Sequence, residues 1–162
     1  MIMEDKLIKA LIKGRLECYI KKSPSYNPYI KSILYDWEFK LEIDDLVFTD
    51  AYRGFNPYSG VEYVYDKNSD NPIWFCDYIG YAHQDKDISS QEIYQFLKEG
   101  RANHLDTCKD KLFSNFAYKK DVLKYETSFK RDLNSLLQIE NIYYKESIVA
   151  NQISAARINQ NS

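Results

Sequence analysis

From residue 34 to residue 81 the chain runs through short strand-like segments joined by connections of a few residues each. Leu34 to Ile43 and Leu46 to Tyr52 flank Asp44-Asp45, a tight-turn pair. Arg53 to Ser59 carries Gly54, Asn56 and Pro57 and reads as a bend, and Val61 to Tyr65 follows as a strand. A polar turn over Asp66 to Pro72 then leads into Ile73 to Tyr81. Parallel strands need a crossover of about a dozen residues or more, so these links predict an antiparallel meander. The 15 tyrosines agree, because Tyr favours half-buried strand positions where the ring packs and the hydroxyl stays wet.

Two helices are expected beside this meander. Leu7, Ile8, Leu11 and Ile12 recur at helical spacing and predict a helix over 4–13, with Gly14 as its stop and a short strand over 16–20. The second helix has a capping box, Ser89 with Glu92, inside a hydrophobic staple formed by Ile88 and Ile93. Ile93, Phe96 and Leu97 form its buried face, and Gly100-Arg101 falls near its expected end. Four further strands are predicted at about 111–118, 122–130, 139–145 and 148–156. A loop with Pro24 and Pro28 separates the first helix from the meander.

Laid side by side, the halves share an order: helix, Gly-Arg, four strands. Gly14-Arg15 matches Gly100-Arg101, and Glu62-Tyr63-Val64-Tyr65 matches Glu140-Asn141-Ile142-Tyr143. The expected fold is α+β, a twisted antiparallel sheet or pair of sheets built from two duplicated αββββ units with two packed helices. The chain is read as a single domain over 1–162, with pseudo-repeats at about 1–81 and 88–158.

Composition narrows the function classes. The net charge of −2, with both signs mixed along the chain, lacks the basic footprint of a general nucleic-acid binder. Cys18, Cys76 and Cys108 form no metal-binding or redox motif and suit reduced thiols in a cytoplasmic protein. With only His83 and His104 beside them, no zinc spacing emerges. Neither a membrane span nor a signal-peptide pattern is expected. No cofactor is expected either, since the 5 glycines are scattered and form no phosphate-binding loop.

Several segments resemble an uncharacterised bacterial family, domain-of-unknown-function family fifty-six eighty. They are Asp50-Ala51-Tyr52-Arg53-Gly54, Tyr58-Ser59-Gly60-Val61-Glu62, the Trp74, Tyr78 and Gly80 arrangement, Phe96-Leu97-Lys98, and Glu140-Asn141-Ile142-Tyr143. The resemblance implies a small domain of the kind often found behind helix-turn-helix regulators. This chain departs from it in two places. Residues 102–118 contain no Tyr-Arg-Gly-Pro segment, and Ser154-Ala155-Ala156 stands where the family commonly has His-Gly-Gly. One short helix before the body leaves no room for a helix-turn-helix, so DNA binding by that route is not implied.

Glu62 and Glu140 are the candidate functional carboxylates. Each lies in an apolar or aromatic strand, where a buried carboxylate must be solvated, paired or protonated. Alternation puts Glu62 on a face with Val64, and Tyr52, Arg53 and Tyr78 are its expected partners. Trp74 and Tyr78 share a face and offer a stacking surface for a base or sugar; a core aromatic pair is the plainer reading. The candidate ligand-binding set is Tyr52, Arg53, Glu62, Trp74, Tyr78 and Glu140, with no catalytic or metal site assigned. The expected function is a non-enzymatic binding module for a small polar, nucleotide-like ligand. The alternatives are a protein-partner module of inhibitor or immunity type with a Tyr-rich surface, and a hydrolase with paired carboxylates. The expected partner is thus a small polar molecule or another protein, with homo-oligomerisation open.

Overall fold

Helix α1 (Ile2–Arg15) continues without a break into a π-helical turn, Leu16–Ile20, in the computed structural model, which describes residues 2–69 and 71–159. The strand expected over 16–20 is absent. Cys18 is buried and Leu16, Tyr19 and Ile20 pack half-buried against the core, so these residues extend a helical stripe. Gly14 does not stop the helix. A Cβ at that position would fall inside the Phe48 ring, so the glycine permits a close approach of helix to sheet.

The meander is present: β1 (Ile30–Lys31), β2 (Trp37–Ile43), β3 (Leu46–Gly54), β4 (Tyr58–Asp66) and β5 (Pro72–Ala82). Strand β2 begins at Trp37 rather than Leu34, and Asp44 closes the β2–β3 turn in the left-handed region at φ 54. On β4 the buried residues Gly60, Glu62 and Val64 alternate with half-buried Val61, Tyr63 and Tyr65, so one face meets the helices.

Helix α2 (Ser90–Cys108) starts as expected. Glu92 N donates to Ser89 Oγ at 3.2 Å, Ser89 N donates to the Glu92 carboxylate at 2.8 Å, and Ile88 and Ile93 are both buried. The helix runs past Gly100, because His104 and Leu105 continue its buried face. A 3-10 turn, Lys109–Lys111, then occupies the start of the strand expected from 111. Strands β6 (Phe116–Lys120), β7 (Leu123–Asp132), β8 (Ser135–Tyr144) and β9 (Ser147–Ile158) complete the chain.

All nine strands form one antiparallel sheet in the order β1-β2-β3-β4-β5-β9-β8-β7-β6. Strands β5 and β9 pair in the middle, from Trp74 opposite Ile158 to Ala82 opposite Ala150. Helix α1 rests on β3 and β4, and α2 rests on β5, β6 and β7. The apolar core is split accordingly. One cluster, including Leu7, Leu11, Phe48, Val64 and Trp74, lies under α1; the other, including Ile93, Phe96, Tyr125 and Ile142, lies under α2. Buried polar side chains occupy the ground between them.

Candidate functional site

The close approach at Gly14 carries the next residue, Arg15, onto the sheet. Its Nε and Nη2 donate to the two Glu62 oxygens, each at 2.8 Å, and Trp74 Nε1 donates to Glu62 Oε1 at 2.9 Å. The side chains of Arg15 and Glu62 are 14% and 9% exposed. Both charges are largely withdrawn from bulk water, and the fork-to-fork geometry offsets that loss.

The same construction occurs under α2. A Cβ at Gly100 would strike the Tyr125 ring, and Arg101 Nε and Nη2 donate to Glu140 at 2.8 Å each. Tyr125 Oη donates to Glu140 at 2.7 Å and Gln152 Nε2 donates at 2.8 Å. Burial pushes the Glu140 carboxyl up, but the Arg101 charge, the hydrogen bonds from Arg101 and Tyr125 and the Arg15 charge outweigh it, and the group lies below its ordinary value. The register also agrees between the two places: Asp50 sits opposite Glu62 on β3–β4, and Thr127 opposite Glu140 on β7–β8.

Asp50 is treated differently. It accepts from Tyr29 Oη at 2.6 Å and Tyr78 Oη at 2.7 Å, with no ion pair to a Lys or Arg among the described residues. Burial pushes its carboxyl up to about 6 against these two hydrogen bonds. His104, 3% exposed, lies against Phe116 and Phe129. Burial and the Arg15 charge push its imidazole down to about 4, so it is neutral at pH 7. Its Nε2 has no hydrogen-bond partner among the described residues.

These groups border a cavity of about 250 Å³ between the helices and the sheet. Arg15, Asp50, Glu62, Tyr78, Arg101, His104, Gln138, Glu140, Gln152 and Ser154 line its interior. Half-buried Lys22, Tyr52, Tyr94 and Lys98 and exposed Phe55 stand at its outer end. Lys22 Nζ donates to Tyr52 Oη at 2.6 Å, and Lys98 donates to the Lys22 carbonyl. The β3–β4 corner is tied to α2 and β5 through Asn56, which accepts from Tyr94 Oη at 2.9 Å and from Ala82 N at 2.8 Å.

Of the residues singled out in the sequence, Tyr52, Glu62, Tyr78 and Glu140 meet in this cavity. Trp74 is 1% exposed, stacked on Phe113 at 5.4 Å, and stands behind Glu62 rather than on the cavity wall. Arg53 lies away from the cavity: it donates to the Leu34 carbonyl at 3.1 Å and covers the Tyr35 ring. The cation on Glu62 is Arg15, not Arg53, because residue 53 is one step from Tyr52 and faces the other side of the sheet. Arg15, Asp50, Arg101, His104 and Gln152 were not among the sequence candidates. Both arginines were visible as Gly-Arg doublets, whose glycines suggested helix ends. Asp50 was visible as a carboxylate in an otherwise strand-like run.

Residues 50–158 match the family described as Domain of unknown function (DUF5680). The chain belongs to that family. No curated protein matches it. The DUF5680 match contains Asp50, Glu62, Arg101, His104 and Glu140 and leaves Arg15 outside its span. Among the described residues of this DUF5680 chain, no helix is long and apolar enough to cross a membrane. No group of three or more His, Cys, Asp or Glu side chains there could hold a metal ion, and all three cysteines are free thiols.

Proposed function

We propose that this chain is a cytoplasmic, non-enzymatic binding module for a small polar, nucleotide-like ligand, held in the cavity between the helices and the sheet. The observation that carries the reading is the cavity itself. Two guanidiniums and three carboxylates border its otherwise largely apolar lining, where a purely structural core would carry none. A volume of about 250 Å³ suits a compact metabolite. Buried charges are costly unless paired, and two such pairs beside one cavity are well explained by a ligand that needs them rigid.

The paired-carboxylate hydrolase is the weaker reading. A glycosidase-type acid needs a raised carboxyl, whereas Arg101 holds Glu140 low. Each glutamate is committed to a guanidinium fork, which supports a fixed electrostatic role over proton transfer.

A protein-partner role has one supporting observation. Ile79 and Ile153 are cross-strand neighbours, 55% and 45% exposed, with exposed Tyr81 and Leu137 nearby. An uncovered apolar stripe of this kind suits contact with a second copy or another protein.

We also infer that the two halves arose from a duplicated αββββ unit. The Gly14-Arg15 and Gly100-Arg101 doublets, the two forked glutamates and the matched registers support this.

Thermal-shift screening against nucleosides, nucleotides and sugars tests the binding reading. A ligand raises the melting midpoint by mass action, and Ser154→Leu, which puts a larger apolar side chain into the cavity, should weaken the shift. A screen in which no compound moves the wild-type midpoint counts against the reading.

A further inference from the structure

The face of the sheet turned away from the helices breaks the usual pattern. An antiparallel sheet with one side in water alternates apolar residues inward with polar residues outward. The flanking strands obey: β2 turns Glu38, Lys40 and Glu42 outward, and β7 turns Lys124, Glu126, Ser128 and Lys130 outward. The four central strands, β4, β5, β9 and β8, do not. Val61, Tyr63, Phe75, Ile79, Ile139 and Ile153 stand at outward positions there, and only Asp77 and Arg157 bring charge to that band. Neither of these two forms an ion pair among the described residues. Both helices pack on the opposite face. An apolar, aromatic centre with a charged rim is the anatomy of a protein interface.

The central strands run 9 to 12 residues. At about 4.8 Å between strands and about 3.3 Å per residue they cover roughly 20 by 30 Å. With the flanking rows added, that meets the roughly 800 Å² per partner of a stable interface. The charges indicate which partner fits. Outward from β2 to β5 stand Glu38, Lys40, Glu42, Arg53 and Asp77, with acids in excess. Outward from β9 to β6 stand Arg157, Asp132, Lys130, Glu126, Lys124 and Lys119, with bases in excess. Leaving out the two-residue β1, four strands lie on either side of the β5–β9 junction that separates these sets. A two-fold turn about that junction lays the acidic half of one copy on the basic half of another, twice over. A partner carrying one sign of charge matches only one of the halves.

We propose that this face pairs with the same face of a second copy, sheet upon sheet, about an axis that runs along the β5–β9 junction. Aligned sheets pack about 10 Å apart with their strands within about 30° of each other. Strands β2–β5 of one copy then lie over β9–β6 of the other. Ile79 and Ile153 are opposite each other across the junction, 55% and 45% exposed. The axis passes over them, so Ile79 of each copy packs on Ile153 of the other. The cavity lies on the helix side of the sheet, and the pairing therefore stands independently of the ligand reading.

Sedimentation-velocity ultracentrifugation of the full chain from about 1 to 100 μM tests the pairing. The wild type should reach a mass of twice 19.2 kDa within that range. Ile79→Glu and Ile153→Lys, each shown to be folded by its melting curve, should weaken pairing more than about tenfold, since either sets a charge against an isoleucine of the facing copy. An equimolar mixture of the two should pair again, with the acid of one chain on the base of the other. A wild type that stays monomeric overturns the inference and leaves the face open or to a different protein. A dimer that either substitution leaves intact has its contact elsewhere and overturns it too, as does a mixture that fails to pair. Should one variant fail to fold, the wild-type mass and the other variant decide. A monomer that still carries a small molecule loses this inference alone, and a dimer that carries none loses the ligand reading alone.

Discussion

Arg101 and Glu140 form a two-armed ion pair beneath α2, with both N–O distances at 2.8 Å and Glu140 3% exposed. The pair has two consequences. It fixes a charge on the cavity wall, and it makes each partner indispensable to the other. Removing one member of a buried pair strands the second charge, which typically costs about 3–5 kcal/mol. We expect Arg101→Met to lose that much in urea denaturation, and Arg101→Met with Glu140→Gln to regain most of it. A single substitution that costs under about 1 kcal/mol would show that water reaches Glu140.

Trp74 donates to Glu62 from within the core. Trp74→Phe keeps an apolar ring against Phe113 but removes a donor to a buried carboxylate, a bond worth roughly 1.5–3 kcal/mol. The expected result is a stability loss of about 2 kcal/mol, with ligand affinity changed less than stability. An unaltered denaturation midpoint would place the indole N–H outside the Glu62 network.

The capping box at Ser89 is complete, with bonds in both directions. Ser89→Ala should cost about 1 kcal/mol, the usual price of a lost helix cap. Unchanged midpoint and slope would mean that α2 is held by its buried face alone.

Asp50 and His104 should act on stability in opposite directions as pH changes. Asp50 is pushed from 3.8 up to about 6 by burial, partly offset by Tyr29 and Tyr78, with Glu62 and Arg101 as charged neighbours. Between those values the folded chain holds the extra proton, so raising the pH lowers stability. His104 is pushed from 6.5 down to about 4 by burial and Arg15, against Glu140. There the unfolded chain holds the extra proton, so raising the pH increases stability. Relative to wild type, Asp50→Asn should therefore gain stability as pH rises from about 4 to 6, and His104→Gln should lose it from about 4 to 6.5. Denaturation midpoints measured across pH 4 to 7 decide the matter, and parallel curves for all three proteins would contradict both assignments.

What could be read from the sequence follows from how local each signal is. Alternation, turn pairs and the capping box act within a few residues, so the meander and the start of α2 are legible. Gly14 and Gly100 mislead, because a glycine that ends a helix and one that admits an aromatic ring look alike until Phe48 and Tyr125 are in place. The two glutamates stand out as charges in apolar strands. Their partners do not, since Arg15 and Glu62 are separated by 47 residues and Arg101 and Glu140 by 39. His104 carries no local mark at all. Its burial, with Nε2 unmatched among the described residues, arises only when α2 lies on the sheet.

Native mass spectrometry of the chain purified gently from cells, beside the same sample under denaturing conditions, tests the binding account most directly. The account predicts a native mass exceeding the denatured mass by one small molecule per chain, reduced when Ser154→Leu crowds the cavity. A native mass equal to that of the bare polypeptide would contradict it.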